Sequence, residues 1–225
     1  MLPRGWMRTA DRGAPAGAAR RGLCKVQGKI SCMNDRIPRP AEVILISGPL
    51  GSGKTSVAIE LGACLEEIGI THAVLDLDWL CWVGPNIEGD RLLEVLADNL
   101  AAVATRYRAE GIDHLVLARA LTDQAQMEVI RSALDPARLV TVTLEVPLHL
   151  AAARLVGRDQ GSVLEANLKE QEQLSATNLL VTDLRVENWG RPIRSTALDI
   201  LRRSGWIGDS NEGNMPHGDA DSSDR

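Results

Sequence analysis

The chain of 225 residues is 44% hydrophobic, which is enough apolar content for the core of one ordinary α/β domain. Its formal net charge is −5, but residues 1–40 hold nine lysines and arginines against two aspartates, a net charge of +7 that leaves −12 on residues 41–225. An acidic body of this kind argues against binding of a nucleic-acid backbone as the main task. No apolar stretch approaches 18 residues, so we expect no membrane-spanning helix.

Cysteine usage favours a reduced, cytoplasmic location. The four cysteines form no C-x-x-C pair, and no histidine stands at metal-ligand spacing from them. We therefore expect neither disulfides nor a zinc site.

Both ends of the chain lack the periodicity of folded elements. Residues 1–40 are rich in Gly, Ala, Pro and Arg and are predicted to be a disordered basic extension. Residues 208–225 are predicted to be a disordered acidic tail, which leaves 41–207 as the folded domain. Met33 lies just before the first predicted strand, so both Met1 and Met33 remain candidate start residues.

Between these ends, strand and helix patterns alternate. Apolar, β-branched runs predict strands at 43–46, 73–77, 115–118, 139–146 and 184–187. Apolar stripes of helical spacing predict helices at 55–68, 90–110, 123–134, from 147 onwards, 162–177 and 195–203. This alternation predicts a parallel sheet covered by helices on both faces, with ligands at the carboxyl ends of the strands.

A phosphate loop follows the first strand. Residues 48–55 read Gly-Pro-Leu-Gly-Ser-Gly-Lys-Thr and match the Walker A pattern G-x-x-x-x-G-K-[ST]. Glycines let backbone N–H groups converge on phosphates, and the following helix adds its own free N–H groups. Lys54 is predicted to reach the β- and γ-phosphates of ATP, and Thr55 to bind Mg²⁺. The predicted nucleotide contacts are Gly48, Pro49, Leu50, Gly51, Ser52, Gly53, Lys54, Thr55 and Ser56.

Two carboxylates lie at the end of the second predicted strand, and two tryptophans follow them. Asp76 and Asp78 are separated by one residue and are therefore predicted to share one strand face. Two acids beside a phosphate loop can divide two tasks, one holding Mg²⁺ through water and one taking a proton from an attacking hydroxyl. Trp79 and Trp82 come next, and either stacking on a substrate ring or packing under the next helix fits the pattern.

The phosphate loop together with Asp76-Leu77-Asp78 resembles the small P-loop kinases of the shikimate kinase, adenylylsulfate kinase and nucleoside-monophosphate kinase group. The resemblance spans 41–207 in the order of elements and implies a three-layer α/β/α fold, a five-stranded parallel sheet of order 2-3-1-4-5 and a short lid near 157–165. It also implies Asp76 in the Mg²⁺ shell and Asp78 at the acceptor hydroxyl.

The same resemblance implies roles for residues after the later strands. Arg154 and Arg158 resemble lid arginines that clamp the phosphates, and their spacing of four puts them on one helix face. Arg119 follows the third strand, where the group lines its substrate site. Arg191 and Pro192 follow the fifth strand, where the group borders adenine.

In two places after the third strand, the sequence differs from the patterns of known P-loop proteins. No acid follows the third strand, which argues against a motor-type ATPase. The glycine-rich stretch that shikimate kinases carry there is also missing, which argues against shikimate as the substrate.

The sequence therefore predicts a kinase that uses ATP and Mg²⁺ on a hydroxyl or phosphate of a small metabolite or nucleotide. Two other classes stay open: a regulatory ATP-binding protein or slow ATPase, and a nucleic-acid end kinase. The acidic body counts against the second of these. The sequence does not set the oligomeric state.

Overall fold

Five strands and seven helices make up the described part of the chain. The computed structural model describes residues 41–84, 86–135, 137–176 and 180–208. The strands are β1 Ala41–Ser47, β2 His72–Asp76, β3 His114–Ala118, β4 Ala137–Glu145 and β5 Leu184–Glu187. The helices are α1 Lys54–Glu67, α2 Leu77–Leu80, α3 Gly89–Ala109, α4 Gln124–Ala133, α5 Leu148–Arg158, α6 Gly161–Ala176 and α7 Ile193–Arg203. The segments 1–40 and 209–225, for which disorder was predicted, lie outside the described residues.

All strand pairs in the sheet are parallel, and the strand order is β2-β3-β1-β4-β5. The predicted order is confirmed. β1 lies in the centre, where Ile46 pairs with Ala118 of β3 and with Val142 of β4. Because every strand runs the same way, the segments that follow β1 to β5 all leave from one edge of the sheet.

Two apolar clusters cover the two faces of the sheet. Val43 and Leu45 of β1 pack with buried residues of α3 and α4, whereas Ile44 and Ile46 pack with those of α1 and α7. This alternation along one strand produces the three-layer α/β/α arrangement. Each fully buried side chain of this size contributes about 1.5–3 kcal/mol relative to leaving it in water.

A glycine ends α1. Gly69 has a φ of 75°, and the N–H groups of Gly69 and Ile70 bond the carbonyl oxygens of Glu66 and Leu65. This is the Schellman arrangement, which leads the chain directly into β2.

The second strand ends one residue earlier than its pattern predicted. The expectation that Asp76 and Asp78 share a strand face is wrong, because β2 ends at Asp76 and Asp78 lies in the short helix α2. The cause is local: the Asp76 carboxylate accepts a hydrogen bond from the Asp78 backbone N–H, which caps the helix and turns the chain. Leu77 remains in the core, fully buried.

None of the helices in the described ranges is long and apolar enough to cross a membrane. The predicted cytoplasmic location remains a prediction.

Candidate active site

The phosphate loop forms a tight connection from β1 to α1. Gly51 and Gly53 adopt left-handed φ values of 77° and 91°, a conformation that side chains disfavour. Space also demands glycine at Gly51, where an added Cβ would lie 2.3 Å from the carbonyl oxygen of Ala151. The loop therefore has the close backbone packing that an anion-binding nest requires.

Lys54 begins α1 and folds back over the loop. Its side chain is nearly buried, and Nζ donates hydrogen bonds to the carbonyl oxygens of Gly48 at 3.1 Å and Pro49 at 3.0 Å. No acidic residue occupies the first turn of α1, so the N-terminal N–H groups of this helix face a site without competing negative charge from that turn.

Thr55 and Asp76 form a pair of oxygen donors beside the loop. The Thr55 hydroxyl donates a hydrogen bond of 2.8 Å to the Asp76 carboxylate. Mg²⁺ prefers such oxygens and usually takes one or two of them from a protein, with phosphates and water completing the shell. The described residues contain no cluster of three or more His, Cys, Asp or Glu side chains that would hold a metal alone. This pair fits Mg²⁺ that arrives with a nucleotide.

Asp78 and Arg119 form an ion pair next to the Thr55–Asp76 pair. Arg119 Nη1 donates to Asp78 Oδ1 at 2.9 Å and also contacts Cys81 Sγ at 3.2 Å. The Arg119 side chain is 14% exposed, whereas that of Asp78 is 63% exposed. Arg119 Nε is buried and has no hydrogen-bond partner in the described residues. The Arg119 guanidinium is therefore held in place and still has an N–H group that donates no hydrogen bond within the described residues.

The crowded surroundings raise the pKa of Asp78. Desolvation is the largest cause, the positive charge of Arg119 opposes it, and the negative charge of Asp76 adds to it. The Asp76 carboxylate accepts from the Asp78 backbone N–H at 3.1 Å and from the Thr55 hydroxyl at 2.8 Å, so the two parts of the site are close together.

Trp79 and Trp82 lie together on the surface beside Asp78. Their ring centroids are 5.0 Å apart with planes inclined by 32°, and they are 67% and 75% exposed. They therefore do not pack under the next helix, which was one of the two sequence alternatives. Asn99 fixes the segment between them by donating to the Leu80 carbonyl oxygen at 2.7 Å.

The two arginines that were predicted to belong to a lid have different partners. Arg154 Nη1 donates to the carbonyl oxygens of Gly51 and Ser52, at 3.2 and 3.3 Å. Arg158, 61% exposed, instead makes two hydrogen bonds to the neighbouring carboxylate of Asp159, at 2.7 and 2.8 Å. The structure brings Arg154 to the phosphate loop and leaves Arg158 outside it.

The residues predicted to flank adenine lie at the start of α7. Arg191 Nε donates to the Glu187 carbonyl oxygen at 3.0 Å and to Thr196 Oγ1 at 3.1 Å, and Pro192 precedes the helix as its N-cap. Within the described residues, the hydrogen bonds of Arg191 go to Glu187, Thr196 and Asp199 and not to the phosphate loop. Ser56, also among the predicted nucleotide contacts, lies exposed in the first turn of α1.

Two buried amides contact the loop without having been predicted. Gln171 of α6 donates to the Leu50 carbonyl oxygen at 3.3 Å, and Asn188 donates to that of Ser52 at 2.8 Å. Asn188 follows β5 at the carboxyl edge of the sheet, so its place in the sequence could have marked it as a candidate site residue. The direction of its side chain was not readable from sequence.

Solved structures with this architecture include three small-molecule kinases. A sugar kinase from a Janibacter species matches with a TM-score of 0.55 at 19% identity, over 72% of this chain and 93% of that chain. A gluconokinase from Sinorhizobium meliloti matches at 0.52 and 20%, over 75% and 94%. The APS kinase of Mycobacterium tuberculosis, solved with AMPPNP and APS, matches at 0.53 and 22%, over 73% and 98%.

The chain has the fold of the small P-loop kinases. The phosphate loop, the Asp76–Asp78 turn and the arginine at the end of β3 lie at the carboxyl edge of this P-loop kinase fold. No protein-family model matches the chain, and no curated protein sequence matches it either.

Proposed function

We propose that this P-loop protein is an ATP-dependent kinase that transfers the γ-phosphoryl group to a hydroxyl or phosphate of a small metabolite or nucleotide. The observation that carries the proposal is the Asp78–Arg119 pair at 2.9 Å, directly beside the Lys54, Thr55 and Asp76 group. A phosphate loop alone occurs in many ATP-binding proteins. The base Asp78 and the cation Arg119 beside the loop can additionally form a binding site for the phosphoryl acceptor.

The nucleotide side of the site rests on the phosphate loop. Backbone N–H groups over residues 48–56 and Lys54 Nζ bind the phosphates, and Lys54 exchanges the carbonyl oxygens of Gly48 and Pro49 for phosphate oxygens. Thr55 and Asp76 are the residues that would hold Mg²⁺. The ion, when bound, supplies positive charge to the phosphate oxygens. Arg191 and Pro192 flank the base.

The acceptor side rests on Asp78. Its carboxylate takes the proton from the acceptor hydroxyl as that oxygen bonds to the γ-phosphorus, and the bond to the bridging oxygen breaks to release ADP. Where the acceptor is itself a phosphate, Asp78 orients it. Arg119 binds an anionic group of the acceptor, and Trp79 stacks on its ring.

The arginines of α5 offset the charge of the transferring group. Arg154 already lies at the loop, and Arg158 joins it by leaving Asp159 when the short α5–α6 connection closes. Positioning and electrostatics then supply most of the rate, as in other phosphoryl transfers.

An acceptor screen tests the proposal. Release of ADP from Mg·ATP is measured with pools of nucleosides, nucleotides, sugars and hydroxy acids for wild type, Asp78→Asn and, as a control, Asp98→Asn on the exposed side of α3. We expect one pool to raise ADP release, a loss of about 10²- to 10⁴-fold in Asp78→Asn with ATP affinity retained, and no loss in Asp98→Asn. If ATP binds and no pool has an effect, the regulatory alternative replaces the kinase.

A further inference from the structure

Asn188 is buried at the carboxyl end of β5, and its backbone and side chain are both engaged. It is 6% exposed. Its backbone N–H donates to the Glu145 carbonyl oxygen at 2.9 Å, and its own carbonyl oxygen accepts from Arg154 Nη2 at 2.9 Å. In the side chain, Nδ2 donates to the Ser52 carbonyl oxygen at 2.8 Å and Oδ1 accepts from Thr196 Oγ1 at 3.1 Å.

The hydrogen-bond directions in this network fix the orientation of the amide. Arg191 Nε can only donate, so the Thr196 oxygen accepts that bond of 3.1 Å. The Ser52 carbonyl oxygen can only accept, so the Asn188 NH₂ group faces Ser52, and Asn188 Oδ1 accepts the hydroxyl proton of Thr196. A continuous path of hydrogen bonds therefore leads from the loop after β5 to the phosphate loop.

The contacts on the phosphate loop act on its carbonyl oxygens. Asn188 and Arg154 both donate to the Ser52 oxygen, and Arg154 also donates to that of Gly51. Carbonyl oxygens turned towards a nucleotide would repel its phosphates, whereas N–H groups attract them. Asn188 also packs against Gly53, where an added Cβ would lie 2.8 Å from Nδ2.

We propose that Asn188 is a positioning residue for the nucleotide phosphates: it holds the Ser52 carbonyl outwards so that the loop keeps its N–H groups directed at the ligand. The inference rests on the proposed binding of ATP and adds a residue that the phosphate-loop pattern does not contain. Thr196 acts through Asn188 by fixing its amide, and Arg191 acts through Thr196.

The test compares Mg·ATP affinity with stability in three variants of the full chain. Asn188→Ala removes the donor, and Thr196→Val removes the hydroxyl that orients it. Thr141→Val is the matched control, since Thr141 is a threonine of β4, 2% exposed, whose hydroxyl bonds Asp183 at 2.7 Å. Dissociation constants come from calorimetry and unfolding free energies from urea titration.

We expect Asn188→Ala to weaken Mg·ATP binding roughly tenfold to a hundredfold, since the Ser52 oxygen then keeps only its longer bond from Arg154 at 3.3 Å. Thr196→Val should weaken it about threefold or more. Thr141→Val should lower stability while the dissociation constant stays within about twofold of wild type. A merely structural role for Asn188 would make its variant behave like this control.

The outcomes separate the inference from the proposed function. Folded Asn188→Ala with wild-type affinity overturns the role of Asn188 alone. If Asn188→Ala does not fold, Thr196→Val decides, and unchanged affinity in that folded variant overturns the inference equally. If wild type itself does not bind Mg·ATP, the proposed function fails and the inference fails with it.

Discussion

Asp78 accepts a proton only while its carboxyl group is ionised. Desolvation raises the pKa of this group, and the Arg119 guanidinium at 2.9 Å counteracts the rise. Activity that depends on the ionised form is lost as the pH falls through this pKa. The acidic limb of the rate profile should therefore lie at higher pH than for an ordinary aspartate.

Replacing Arg119 should move the acidic limb of the rate profile to still higher pH. Arg119→Met removes the charge that lowers the pKa of Asp78, so we expect half-maximal kcat/KM at a higher pH than in wild type. The measurement is kcat/KM from about pH 4 to pH 8, because this ratio reports the pKa of the free enzyme. Arg131→Met, which removes an exposed arginine of α4 paired with Glu128, serves as the control. A limb that stays in place or moves to lower pH in Arg119→Met would contradict the proposed role of Asp78.

The phosphate loop was predictable residue by residue, whereas the position of Asp78 was not. The loop pattern specifies glycines, a lysine and a threonine, and each occupies its expected place. For Asp76 and Asp78, strand alternation competes with a local hydrogen bond, and the hydrogen bond from the Asp78 N–H to Asp76 wins. Two acids one residue apart fit either outcome, so spacing alone does not decide.

At the level of elements, helix α5 presents two arginines with different partners. Arg154 is bonded to the phosphate loop, whereas Arg158 is bonded to Asp159. The proposal therefore assigns Arg154 a part in both binding and transfer, and Arg158 a part only after the α5–α6 connection closes.

Conservative lysine variants separate these roles. Because lysine lacks the planar fork of arginine, we expect Arg154→Lys to raise the dissociation constant of Mg·ATP about tenfold. Arg158→Lys should lower kcat about tenfold with the dissociation constant unchanged. Asp159→Asn, which releases Arg158, should keep kcat at or above the wild-type value. If Arg158→Lys leaves kcat unchanged, Arg158 has no part in transfer.

The elements themselves were largely predictable, and their contacts across the site were not. Alternating strands and helices follow from apolar periodicity, with ends displaced by a few residues, as in α7, which begins at Ile193 and not at 195. Asn188 and Gln171 reach the phosphate loop from residues far along the chain. Such contacts depend on tertiary packing, which periodicity does not encode.

At the level of the whole molecule, the sheet brings the site together. β1, β2, β3 and β5 contribute their carboxyl ends to one edge, so residues from 48 to 188 in sequence become neighbours. Alternation predicted the parallel sheet, but short right-handed connections allow several strand orders. The order 2-3-1-4-5 was expected from the resemblance to small P-loop kinases, and the structure confirms it.

Binding of Mg·ATP to the purified chain tests the central claim most directly. Calorimetric titration compares wild type with Lys54→Ala and with Lys169→Ala, which removes an exposed lysine of α6. The account predicts that wild type and Lys169→Ala bind with dissociation constants below about 1 mM and that Lys54→Ala binds at least about tenfold more weakly. Absence of binding to wild type at millimolar concentration, or equal binding by all three proteins, would contradict it.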